Sequence, residues 1–230
     1  MPIDLNVRSP TSKSLGSFVR MADSLGLTGF ATVLQRDKPF ETLEGGMDLF
    51  ARIDLPESGL RAAKKAAKEA RPRAAVLAVP LRGVDVSNWA AEDERVDFLT
   101  IDKPHNECIL RESTAKLAAV SGTALEVPIE PLLTSFGLTR SKVIKVFREN
   151  VQTAVGMGMQ VILSSGSKTV MSMRSPTAMR YVGLLLGLDW KYTKIAVQEG
   201  PQSIIDRSKK RLGSDFVAPG VEIVQRGETE

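Results

Sequence analysis

The stretch Gln160–Leu188, QVILSSGSKTVMSMRSPTAMRYVGLLLGL, decides the fold because it contains one complete strand–loop–helix unit. Val161–Leu163 is a short apolar run of the kind that lies buried in a parallel sheet. Ser175 and Pro176 are typical of a helix N-cap followed by proline at the first helical position, and Gly187 is typical of a C-terminal cap. The pattern therefore predicts a strand, a loop and a helix in that order.

Short apolar runs and amphipathic segments alternate along the rest of the chain as well. The run AAVLAVP is apolar throughout, which is typical of a fully buried parallel strand. Eight strands are predicted: Ile3–Val7, Gly29–Leu34, Met47–Leu55, Ala74–Pro80, Val96–Ile101, Thr123–Val127, Val161–Leu163 and Lys194–Gln198. This alternation favours an α/β fold, a TIM-like (β/α) barrel of about seven to eight mostly parallel strands, with an open doubly wound sheet as the alternative.

Length and composition indicate one substantial core. The chain has 230 residues, of which 43% are hydrophobic, so we expect a single barrel-like domain over residues 1–211 and a polar C-terminal tail over 212–230. No apolar run approaches the ~18 residues of a membrane-spanning helix, and the first residues lack an apolar signal core. We therefore expect no membrane association and a cytoplasmic location.

Two scarce residue types exclude several kinds of site. The one histidine, His105, lies in the polar segment DKPHNE and cannot by itself supply a histidine-rich metal cluster. The one cysteine, Cys108, cannot form an internal disulfide, which fits a reducing compartment. We predict no metal ligand in the protein.

Positive charge is concentrated in one third of the chain. The net charge is −2 over residues 1–138, +9 over 139–211 and −3 over 212–230. Such a division predicts one electropositive side, which suits a polyanionic partner.

The loop in the opening stretch follows a predicted strand, at the edge where α/β proteins bind ligands. It carries Lys168 and Arg174 beside small hydroxyl and glycine residues, and it has no histidine, cysteine or carboxylate. These residue types suit holding phosphate better than catalysis. An ordinary surface connector is the plain alternative.

Other charged residues allow more than one interpretation. Arg52 lies among apolar residues of a predicted strand, so it either pairs with an acid or faces an edge. Arg61, Lys64, Lys65, Lys68 and Arg71 form a basic stripe on one predicted helix, either a solvated face or a phosphate-contacting one. Strand-end candidates for acid–base chemistry are Asp4, Asp54, Asp102, Lys103, Glu126 and Lys168, but their spacing matches no known catalytic motif.

Several segments together resemble a known family. DLNV near the start, LGLTGFA, the strand FARIDL with Arg52, and above all RSPTAMRYVGLLLGLD are similar in order and spacing to RNase P protein component 3. The similarity extends from about Ile3 to Arg211. The connection after Leu34 is short for that family.

The resemblance implies a barrel related to the PHP phosphoesterases and a role in ribonuclease P, the ribonucleoprotein that removes the 5′ leader of precursor tRNA. It implies that the RNA component catalyses cleavage with Mg²⁺ and that the protein binds no cofactor and has no catalytic residue. The implied partners are RNase P RNA, RNase P protein component 2 and the other protein subunits, with precursor tRNA as the substrate of the complex.

On this basis the candidates for RNA contact are Arg140, Lys142, Lys145, Arg148, Ser164, Ser165, Lys168, Arg174 and Arg180. Two alternatives stay open. One is a small-molecule barrel enzyme that uses Lys103 or Lys168 with Glu126. The other is a metal-dependent phosphoesterase of the PHP type, which would require bound metal despite the single histidine.

Overall fold

The computed structural model describes residues 2–8, 11–33, 38–104 and 108–213, and the backbone of 216–218 and 221–222. His105 and Leu34 lie outside the described residues. The strands are β1 (Ile3–Val7), β2 (Gly29–Thr32), β3 (Phe40–Thr42), β4 (Asp48–Asp54), β5 (Val76–Pro80), β6 (Phe98–Thr100), β7 (Ala124–Pro128), β8 (Val161–Ser164), β9 (Phe216–Ala218) and β10 (Val221–Glu222). The helices are α1 (Leu15–Ser24), α2 (Leu60–Ala70), α3 (Val84–Glu92), α4 (Glu112–Ser121), α5 (Glu130–Thr134), α6 (Gly137–Gly156), α7 (Pro176–Leu185), α8 (Trp190–Lys194) and α9 (Gly200–Arg211).

Seven parallel strands form a nearly closed barrel. Their order is β1-β2-β4-β5-β6-β7-β8, and β3 pairs antiparallel with β4 outside this path. At the seam between the first and last strands, Val7 makes a parallel bridge with Ser167. The predicted (β/α) barrel is confirmed, and the open sheet is not what the chain forms.

Successive side chains along each strand point alternately into the barrel and towards the helices, which gives two apolar layers. Phe50, Phe98 and Ile162 pack together inside the barrel. Their strand neighbours, such as Leu99 and Leu163, point outward and pack with the surrounding helices. Because both faces are buried, these strands are apolar at nearly every position.

Helix α9 closes the amino-terminal end of the barrel, with Ile204 and Ile205 in the interior apolar cluster. Asp97, fully buried before β6, accepts from Arg71 at 2.7 Å and lies 3.4 Å from both Arg207 and Arg211. Arg71 also donates to Ser208 of α9 at 2.8 Å. The sequence places Arg71 in the basic stripe, but the structure buries it, and it anchors this helix.

The predicted strand Lys194–Gln198 is wrong. The chain there is helical: α8 ends at Lys194 and a π turn follows over Ile195–Glu199. Asp189 starts α8 by accepting from the Tyr192 amide at 2.6 Å. A short apolar run does not distinguish a buried strand from a buried helix, so the capping residue was the better signal.

Asp4 and Ser165 bind across the seam between β1 and β8. The Ser165 amide donates to Asp4 Oδ1 at 3.0 Å, and the Ser165 hydroxyl donates to the Asn6 carbonyl at 3.3 Å. Asp4 is fully buried, and its Oδ2 has no hydrogen-bond partner among the described residues. Burial raises the pKa of Asp4 to about 6, although hydrogen bonds from Ser165 and Asn6 act against this.

We predict that Asp4→Asn removes a pH dependence of stability. Because the folded pKa is raised, the wild-type carboxyl contributes stability that is present below pH 3.8 and is lost as the pH rises through about 6. The free energy of unfolding of the variant relative to wild type should therefore rise from pH 4 to pH 7, by at most about 3 kcal/mol. Urea unfolding of both proteins at several pH values measures this, and a difference that is constant with pH would contradict it.

Candidate nucleic-acid interface

A buried ion pair occupies the carboxyl-terminal half of the barrel interior. Arg52 of β4 donates to both carboxylate oxygens of Glu126 of β7, at 2.7 and 2.6 Å. Arg52 also donates to the Leu5 carbonyl at 2.6 Å and through Nε to Asp54 at 2.9 Å, and its Nη2 lies 2.7 Å from the same Asp54 oxygen. Each of the three guanidinium nitrogens therefore has an acceptor, so Arg52 is paired with acids although its strand neighbours are apolar.

Polar side chains from other strands complete the network. Glu126 Oε1 accepts from the Asn6 side-chain amide at 3.0 Å and from the Ser164 hydroxyl at 2.8 Å. Burial acts to raise the pKa of Asp54, but the charges of Arg52 and Arg8 outweigh it and hold that pKa below its ordinary value. Burial acts to lower the pKa of Arg52, and the two carboxylates reverse this. The guanidinium is therefore fixed as a cation.

This network engages Arg52, Asp54 and Glu126 at the end of the strands where a barrel enzyme places its catalytic groups. Glu126 is fully buried and held by Arg52, and Lys168 pairs instead with Glu130 at 2.9 Å on the surface. Two surface cavities of about 270 and 280 Å³ are lined by other residues and contain neither Lys103 nor Lys168. The geometry does not favour the small-molecule enzyme.

We predict that Glu126→Leu destabilises the protein by about 3–5 kcal/mol, because buried Arg52 loses its fully buried counterion and keeps only the partly exposed Asp54. Adding Arg52→Met should recover much of that loss, since an apolar pair of similar size replaces the ion pair. Urea unfolding of the two single variants and the double variant measures the coupling.

A matched control is the exposed pair of Lys145 and Glu149, 3.7 Å apart, with side chains 74% and 60% exposed. Glu149→Gln should change the free energy of unfolding by less than about 1 kcal/mol. A Glu126→Leu protein that is no less stable than Glu149→Gln would show that the buried pair is not a structural requirement.

Four of the predicted RNA-contacting cations lie around the barrel mouth, at the carboxyl ends of β7 and β8. We call this set the mouth surface; its members are Arg140, Lys142, Lys168 and Arg174. Lys142 and Lys168 are exposed, and Arg140 and Arg174 are half-buried. The first two turns of α6 and the loop before α7 bring these residues to one end of the molecule.

Backbone carbonyls hold the two arginines of the mouth surface. Arg140 donates to the Ser135 carbonyl at 2.7 Å, and Arg174 donates to the carbonyls of Met171 and Met173 at 2.9 and 2.7 Å. These arginines have no carboxylate partner among the described residues, so their positive charge is uncompensated there. Two fixed arginines without a carboxylate partner suit contact with phosphate.

The other three cations lie further along the helices. Arg148 of α6 donates to the Leu185 carbonyl at 2.9 Å, and Arg180 of α7 donates to the Trp190 carbonyl at 3.1 Å. Lys145 pairs with Glu149 on the outer face of α6. At 1.5 Å of rise per residue, Arg148 is about 12 Å along α6 from Arg140. The predicted set therefore divides into a mouth group and a side group.

The structure argues against the prediction that the hydroxyl groups of Ser164 and Ser165 contact RNA. Both are fully buried and use their hydroxyl groups inside the barrel and across the seam. They cannot present these groups to RNA. Their place in a hydroxyl-rich loop gave no sign of this, because the partners Glu126 and Asn6 are distant in sequence.

The basic stripe on α2 is exposed except at its end. Arg61, Lys64, Lys65 and Lys68 face solvent, and Lys65 lies 3.9 Å from Glu69. This stripe follows β4, on the other side of the barrel from α6 and α7. The stripe on α2 and the mouth surface are therefore two separate basic regions.

Two further observations concern the part of the chain that the structure describes. No group of three or more histidine, cysteine, aspartate or glutamate side chains there lies close enough together to hold a metal ion. No described helix is both long enough and apolar enough to cross a bilayer.

Together these features define a (β/α)-barrel protein whose interior is sealed by ion pairs and whose mouth carries cations. The model of the family described as RNase P subunit p30 matches residues 1–212, and the chain belongs to this family.

Known proteins are similar over most of the chain. Ribonuclease P protein component 3 of Methanosarcina barkeri is 28% identical over 213 residues, which is 90% of this chain and 88% of the relative. The Methanothermobacter thermautotrophicus protein of the same name is 24% identical over 178 residues, or 75% and 70% of the two chains. A chain in a cryo-EM structure of archaeal ribonuclease P with mature tRNA shares the fold, with a TM-score of 0.79, 18% identity and coverage of 98% and 100%.

Proposed function

We propose that this chain is a non-catalytic protein subunit of ribonuclease P, the ribonucleoprotein that cleaves the 5′ leader from precursor tRNA. Family membership supports the assignment to the complex. The observation that carries the non-catalytic role is the Arg52–Glu126 pair, in which a buried guanidinium and a buried carboxylate of the barrel interior bind each other. The chain is an enzyme component only as part of the complex.

In this proposal the mouth surface contacts RNA phosphates. Lys142 and Lys168 extend into solvent, where they can approach the backbone of a folded RNA. Such contacts depend on charge and shape and carry no base sequence information, which suits a protein with only 5% aromatic residues. The side group, Lys145, Arg148 and Arg180, is a second candidate region for contact.

The Mg²⁺ site, the partners and the location follow from this role. The Mg²⁺ that cleavage requires is bound by the RNA component, and the protein supplies no ligand to it. The partners are RNase P RNA, protein component 2 and the other protein subunits, with precursor tRNA as the substrate of the assembly. The location is the cytoplasm.

We predict that Lys142→Glu with Lys168→Glu weakens binding of the chain to RNase P RNA by about tenfold or more at moderate salt. Each lost phosphate contact should also reduce the slope of log affinity against log salt concentration by about 0.7–0.9. Filter binding across a salt series, together with precursor tRNA cleavage by the reconstituted complex, measures both effects.

The matched control is Lys116→Glu with Lys209→Glu, which makes the same change in net charge at exposed positions of α4 and α9. The control should keep both affinity and salt slope close to wild type. If the control loses as much as the mouth variant, or if the mouth variant keeps its activity and salt tolerance, the mouth surface is not the RNA contact.

A further inference from the structure

Helix α7 is apolar on two faces. Its inner face buries Met179 and Gly183, and a Cβ atom at Gly183 would lie 2.8 Å from Thr193 Cγ2, so this face is fully packed. On the outer face, Tyr181, Leu184 and Leu185 follow the i, i+3, i+4 spacing of a second apolar stripe. Their side chains are 61%, 36% and 44% exposed.

Trp190, at the start of α8, is 49% exposed and extends this stripe. We call Tyr181, Leu184, Leu185 and Trp190 the α7 patch. The Tyr181 and Trp190 ring centroids are 5.8 Å apart, and the Arg180 guanidinium carbon lies 3.6 Å from the indole centroid. Arg180 also donates a hydrogen bond to the Trp190 carbonyl. The patch is therefore a pre-arranged surface of aromatic and aliphatic side chains.

Positive charge borders the α7 patch. Arg148 donates to the Leu185 carbonyl through Nε, and among the described residues its two terminal amino groups have no acceptor. Arg180 lies beside Trp190, and Lys191 is exposed on α8. The one acid in this part of the two helices, Asp189, is used as the N-cap of α8. An apolar centre with a cationic border complements an apolar surface bordered by carboxylates.

We propose that the α7 patch is the docking site of a partner protein, whose contacting segment presents apolar side chains flanked by aspartate or glutamate. Tryptophan, tyrosine and arginine are the residue types that most often dominate protein–protein binding energy. The terminal amino groups of Arg148 can take a carboxylate in two-point contact.

Two other occupants fit less well. A stacking site for RNA bases uses aromatic faces, but Arg180 covers one face of the indole, and the aliphatic Leu184 and Leu185 at the other end of the patch offer no stacking surface. A second copy of this chain would bring a border of the same positive sign against this one, which is repulsive.

The test uses Leu184→Ser with Leu185→Ser, and separately Arg148→Glu, in the full chain. Under the proposed function, the probes are the other protein subunits of ribonuclease P, purified one by one, and RNase P RNA alone. Titration calorimetry should show that one protein subunit binds wild type and loses about tenfold or more of its affinity with each variant. Affinity for RNA alone should change by less than about threefold with the leucine variant.

The control is Val120→Ser on α4, which removes another exposed apolar side chain, 91% exposed, away from the patch. Its affinity for the same subunit should match wild type, and thermal unfolding should show that all variants fold.

Unchanged binding of every protein subunit to the leucine variant would overturn the proposal, as would an equal loss of RNA affinity. Wild-type self-association that the leucine variant abolishes, seen by sedimentation, would assign the patch to a second copy instead. If wild type binds no protein subunit but still binds RNase P RNA, this proposal fails and the proposed function stands.

Discussion

The contact between Arg52 and Glu126 is the constraint on which the rest of this barrel depends. A charge buried at the centre of a parallel barrel is costly unless every hydrogen-bonding group is matched. Here β1, β4, β7 and β8 each contribute a partner, and the Arg52 guanidinium rests 5.9 Å above the Phe98 ring. The ion pair therefore ties together strands from both halves of the sheet, including the two that meet at the seam.

The same network determines what the molecule can do. In a barrel enzyme, the carboxyl ends of the strands carry groups that can exchange protons or bind metal. In the part of this chain that the structure describes, Arg52, Asp54 and Glu126 neutralise one another, while the rim of the mouth carries Lys142, Lys168 and the two arginines. Charge is presented on the outside and compensated on the inside, which is the arrangement that a scaffold for a polyanion requires.

Much of the fold was predictable because it depends on local pattern. The strand AVLAVP, the Ser175 cap and the left-handed Gly187 each predict their own structure from adjacent residues. The pairing of Arg52 with Glu126 joins residues 74 positions apart, so the sequence indicates only that each charge needs some partner. Matching the two charges that interrupt apolar strands would have suggested it.

The errors have physical causes. At Lys194–Gln198, a short apolar run allowed both strand and helix, and tertiary packing favoured helix. Ser164 and Ser165 have the residue types of a binding loop, but burial turns them inward. On α7, the sequence shows two apolar stripes at helical spacing. That spacing is the same for a stripe packed against the barrel and for one exposed to solvent, so the sequence could not show which face is exposed.

The central claim is that the protein supplies fixed charge and leaves bond cleavage to RNA. The most direct measurement is precursor tRNA cleavage by the isolated chain in Mg²⁺, alongside metal analysis of the same sample after dialysis. The account predicts no cleavage and no stoichiometric metal from the chain alone, with cleavage recovered only when RNase P RNA is added. Cleavage by the chain alone, at a rate that Glu126→Gln reduces, would contradict it.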